Sequence, residues 1–114
     1  MQTKIENNID FSDLYNVLDF IKERTGLFLL KRDLDLLYSF ITGMKLTAIG
    51  NNVDLKNLEE LDSFSKHIHE KLDIADTNTM GWFGVIRDKH GSGEEGFNKF
   101  FEYFDEWRSG KYTL

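Results

Sequence analysis

The sequence contains no proline and no cysteine. Without cysteine there is no disulfide framework, no thiolate metal site and no cysteine nucleophile, and a reducing cytosol is the matching compartment. Without proline the strongest helix breaker is missing, which is compatible with a chain that is helical throughout. No stretch approaches the ~18 consecutive apolar residues of a membrane span, so no membrane partner is expected. The opening Met1-Gln2-Thr3-Lys4-Ile5-Glu6-Asn7-Asn8 lacks the apolar centre of a signal peptide.

What is present fits one soluble domain. The chain has 114 residues, 40% apolar and 30% charged, with ten Phe, four Tyr and two Trp to build a core. The net charge of −6 is unevenly spread. Residues 1–52 carry 7 acids against 6 bases (net −1) and residues 77–114 carry 6 against 5 (net −1). Residues 53–76 carry 7 acids against 3 bases, net −4. Such a segment repels nucleic-acid phosphates and anionic lipid and attracts basic proteins, unless it is simply a solvated helix face.

Apolar residues recur at three- and four-residue steps along most of the chain. Phe11, Leu14, Val17, Leu18 and Ile21 predict a first helix over about 11–24, with Asp10 to Asp13 as caps and a polar, frayed 1–9 before it. Gly26 follows Lys22 and Arg24 and reads as a left-handed exit from that helix. Asp33 is placed to cap a second helix carrying Leu34, Leu37, Tyr38, Ile41 and Met44 or Lys45, closing near Gly50-Asn51-Asn52. Gly43 inside it costs roughly 1 kcal/mol against alanine, and close approach of another helix is one reason to keep it.

Asp54 is the expected cap of a third helix, with the stripe Leu58, Leu61, Phe64, Ile68 and Leu72 and an outer face of acids. Asp76-Thr77-Asn78-Thr79 is a turn cluster, and Met80 to Ile86 reads as a short buried helix, with a strand as the alternative. His90-Gly91-Ser92-Gly93 breaks it. Ser92 and Glu95 have capping-box spacing ahead of a last helix over about 93–108, ended by Gly110. Phe97, Phe100, Phe101 and Phe104, extended by Trp107, make the strongest apolar stripe, and each buried Phe is worth roughly 1.5–3 kcal/mol. The expected fold class is all-α, a single-domain bundle of four or five helices over residues 1–114.

Chemical motifs are weak. His67 and His69 sit two apart, about 200° around a helix, whereas one-helix zinc ligands sit four apart; both are expected to face solvent beside a buried Ile68. Asp88, His90 and Ser92 alternate in a glycine-rich loop with no nucleophile elbow or oxyanion element. The glycines of Gly91-Ser92-Gly93-Glu94-Glu95-Gly96 precede a helix as in phosphate loops, but Glu94 and Glu95 repel phosphate and no Lys-Ser or Lys-Thr follows. No catalytic residue, cofactor or metal site is expected, and an enzyme reading has no coherent site.

Two segments carry a family resemblance. Phe20-Ile21-Lys22-Glu23-Arg24-Thr25-Gly26-Leu27-Phe28-Leu29 and Leu37-Tyr38-Ser39-Phe40-Ile41-Thr42-Gly43, followed by Trp82 with Val85-Ile86 and the aromatic run from Phe97 to Trp107, resemble motifs of small bacterial immunity proteins. These accompany contact-dependent inhibition and Rhs-type toxins. Thr25, Leu27 and Leu30 depart from the proline, methionine and glycine of that pattern. The resemblance implies a non-enzymatic cytoplasmic protein that binds a toxin domain, here expected to be a basic nuclease. Glu59, Glu60, Asp62 and Glu70, with Asp73 and Trp107, are the expected toxin-binding residues, since acids on a helix face mimic phosphates. The rival reading is a small helical adaptor or regulator of a cellular protein.

Overall fold

The computed structural model describes residues 10–74 and 81–111. The segment 1–9 and the turn cluster Asp76 to Thr79 lie outside the described residues. The architecture is all-α: α1 (Leu14–Glu23), a 3-10 turn (Thr25–Leu27), α2 (Leu34–Gly50), α3 (Glu60–Lys71), α4 (Gly81–His90) and α5 (Glu94–Lys111). No strand occurs among the described residues, and of the segment Met80 to Ile86 the part from Gly81 on is helix, Met80 lying outside the described residues.

One hydrophobic core draws on all five helices. Its centre is Phe64 of α3, fully buried, whose ring meets Phe100 at 5.6 Å, Phe104 at 5.2 Å, Trp107 at 5.6 Å and Trp82 at 6.4 Å. Edge-on and tilted rings of this kind add to plain burial. The Phe97–Phe104 stripe is therefore core, joined by Tyr103, also buried. Polar ties hold α1 against α5: Arg108 pairs with Asp19 at 2.8 Å and lies 4.4 Å over the Tyr15 ring, and Lys22 pairs with Asp105.

The first two helices start at local side-chain caps. Asp33 caps α2 as expected, accepting from Leu36 N at 3.0 Å. At α1 the cap is Asp13, accepting from Tyr15 N at 2.9 Å, so the helix begins at Leu14, not near 11, and Phe11 stays 49% exposed. Asp10 instead folds onto Ser12, accepting from its backbone N–H and hydroxyl, and these bonds hold its carboxyl below the ordinary value.

Asp54 does not cap α3, which begins at Glu60 with no side-chain cap. The backbone of Lys56 is taken by α1's entry: its carbonyl accepts from Leu14 N at 2.9 Å and its N–H donates to Ser12 O at 2.7 Å. Asn57 sits at φ 67° and donates to Asp13 Oδ1 at 2.9 Å. A left-handed residue there cannot belong to a right-handed helix.

Three glycines behave differently from expectation. Gly26 lies in the 3-10 turn, and Arg24 ends α1 at φ −128° instead. Gly110 lies inside α5, which runs to Lys111. Gly43 is exposed, with nothing within 4 Å of an added Cβ. The close approach occurs at Gly96, where a Cβ would clash with the Gly91 carbonyl and stand 2.9 Å from Leu34 Cδ2. There the starts of α2 and α5 are stitched by Leu34 N donating to Ser92 O at 2.9 Å. The first α5 bond, Phe97 N to Gly93 O, places Gly93 rather than Ser92 at the helix start. Gly91, at φ +94°, is the left-handed exit from α4.

Candidate protein-binding surface

Helix α3 buries Leu61, Phe64, Ile68 and His69. At 100° per residue, Asp62, Lys66 and Glu70 then share the opposite face, one turn apart, with Glu59 just ahead of them. All four are exposed. Asp73 follows the helix at φ 56°, also exposed. Acids at the start of α3 and Lys71 at its end suit the helix dipole.

The six expected contact residues thus separate. Glu59, Asp62 and Glu70 form one surface, with Asp73 just beyond its end. Glu60 turns toward α1 and accepts a 3.4 Å bond from Tyr15 Oη. Trp107 lies on the buried side of α3, half-buried against Phe64 and Phe104 at 5.6 and 5.7 Å. Elsewhere the acids Asp19, Asp105, Glu106 and Glu102 are in ion pairs. Among the described residues, Glu59, Asp62, Glu70 and Asp73 are in none, and Lys66 does not pair with its neighbours. The pKa of Lys99 is raised by a hydrogen bond with Glu102 on α5, away from this face.

Beside the acidic face runs a groove of about 560 Å³ between α2 and the start of α3. Buried Ile41, Ala48, Leu55 and Leu61 form its floor. Tyr38 stacks on Phe83 at 4.1 Å to close one end. Leu46, Ile49 and Val53 make an apolar lip, 63%, 61% and 56% exposed. Asp54, Glu59 and Asp62 line it with one base, Lys45. A second groove, about 480 Å³, lies on the other flank of α2 and shares Ala48, Val53 and Leu55. Sequence reasoning missed Leu46, Ile49 and Val53. The signal was present, because α2 carries apolar residues around its whole circumference, as a helix covered on more than one side does.

Ser65, on the groove wall, accepts a 3.1 Å bond from Trp82 N and so serves the first turn of α4 from a different helix. The histidines correct their expectation. His69 is 5% exposed, its Nδ1 donating to Ser65 O at 2.8 Å, and His67 is half-buried, because α3 is packed by both α4 and α5. Nε2 of each is buried without a partner among the described residues. No cluster of three His, Cys, Asp or Glu residues that could hold a metal occurs there either.

Asp88, His90 and Ser92 are not brought together. His90 Nε2 meets Tyr103 Oη at 2.8 Å and its Nδ1 lies 3.6 Å from Glu95, while Asp88 sits against Arg87. The Ser92 carbonyl serves α2.

The chain matches no family model, no curated protein and no solved structure. No described helix is long and apolar enough to cross a membrane.

Proposed function

We propose that this protein is a cytoplasmic immunity protein that neutralises a basic toxin domain, a nuclease, by binding it rather than by chemistry. The observation that carries the reading is the row of carboxylates Glu59, Asp62 and Glu70 on the exposed face of α3, with Asp73 beyond, none of them in an ion pair among the described residues. A nuclease holds phosphates and is therefore basic where it works. Carboxylates with no ion pair among the described residues present their charge to such a surface. They steer its approach and occupy the place of the phosphates. The backing of α3 by Phe64 and Ile68, both fully buried, fixes the backbone that carries these acids, so binding need order only their side chains.

The test is co-purification with the product of the gene immediately upstream, followed by association kinetics. Capture and growth protection are expected. Reversing Glu59, Asp62 and Glu70 together to lysine should slow association about tenfold or more at low salt, with the helical circular-dichroism spectrum retained. Added salt should slow the wild-type protein in the same direction. Failure of capture, or undiminished association by the triple variant, rejects this reading.

A further inference from the structure

We infer that the groove between α2 and α3 is the seat for an amphipathic helix of the partner, one whose apolar stripe is flanked by lysine or arginine. This deepens the proposed inhibition by naming the element of the basic domain that docks, and it rests on that reading for the partner's identity. Three observations converge.

The groove is apolar where it is deep and acidic where it meets solvent. Its floor is aliphatic, while Asp54, Glu59 and Asp62 line it against the single base Lys45. Its lip is three large aliphatic side chains, each more than half exposed. Leu46 and Ile49 lie three residues apart on α2, and Val53, just past the end of that helix, lines the same groove, so together they form an apolar rim that a partner helix receives between its own rows of side chains.

The charges select the occupant. A second copy of the chain would oppose two such linings, six acids against two lysines, which repels. A basic helix meets the net negative charge directly. An extended peptide gains its affinity by adding to a sheet edge, and no strand offers one among the described residues. A helix satisfies its own backbone bonds and needs only the groove's side chains.

The probe is a synthetic 18-residue peptide of leucine and lysine, with leucines at three- and four-residue spacing, titrated into the isotope-labelled protein. Backbone amide shifts should change along 38–65 on the groove side. Leu46→Ser with Ile49→Ser should weaken binding at least tenfold with an unchanged melting temperature, since both residues are exposed. Glu59→Gln with Asp62→Asn should weaken it several-fold and flatten its salt dependence. The same peptide with glutamate for lysine should not bind.

Shifts confined to the outer α3 residues Lys66 and Glu70, or unaltered affinity in the Leu46/Ile49 double variant, overturn the groove as the seat. Concentration-dependent dimerisation of the free protein through 46–53 overturns it in favour of a second copy. The two proposals fail separately. If the peptide does not use the groove but the upstream gene product is still captured through the α3 acids, the inhibitor reading stands alone. If the peptide seats in the groove and no toxin is captured, the groove stands and the inhibitor reading falls.

Discussion

Both halves of α2 carry large aliphatic side chains, and these meet different fates. Leu34 and Leu37, in its first turns, are completely buried, whereas Leu46 and Ile49 are 63% and 61% exposed. The first half meets α5 at Gly96, where the backbones approach so closely that no side chain fits. The second half has a groove on either flank. Apolar residues alone therefore do not make a core. A helix is buried where another element lies against it, and the uncovered half is a surface with unused hydrophobic area.

The contrast breaks most visibly at the aromatic centre. Phe100→Ala, a fully buried ring, should cost about 3–5 kcal/mol, read as a large fall in denaturant midpoint. A negligible shift would mean that α5 is not the core of the packed half. Gly96→Ala comes next. Its Cβ meets a backbone carbonyl and Leu34, so the loss should reach or exceed the roughly 1–3 kcal/mol typical of overpacking. A melting temperature equal to wild type would show that α2 and α5 can separate there at no cost.

On the open half the sign reverses. Gly43→Ala has free space around it and should stabilise by about 0.5–1 kcal/mol through helix propensity. A loss instead would reveal packing at that position. Smallest of all, Leu46→Ser and Ile49→Ser should each change stability by no more than about 0.5 kcal/mol. A larger destabilisation would place the rim within the folding core and leave it unfit as a docking surface.

How much was legible in the sequence varies with how local the cause is. The Asp33 cap, the α1 stripe from Leu14 to Ile21 and the α5 aromatics could be read directly, because each depends on neighbours within a turn or two, whereas the apolar run ending at Ile86 left helix and strand both open. The start of α3 could not. It depends on Asn57 reaching Asp13, 44 positions away, and on Lys56 giving its backbone to α1. Glycine roles divided in the same way. Gly91 turns the chain left-handed at the end of α4 as loop punctuation implies, whereas Gly96 is needed for a contact with Leu34, which local sequence does not reveal. The acids of 53–76 were visible as a charge cluster. That Glu60 would face Tyr15 while Glu59, Asp62 and Glu70 stayed out of ion pairs among the described residues depended on how α3 was rotated.

The sequence by itself determined the helical class, because three- and four-residue apolar spacing without proline favours no other backbone. It also determined that the α5 stripe would be core, since so many large rings on one stripe must leave water. Only the tertiary structure decided which side of α2 would be covered. A helix apolar around its circumference has no preferred face of its own, so the placement of α4 and α5 chose what was buried and left Leu46, Ile49 and Val53 beside the acids of α3.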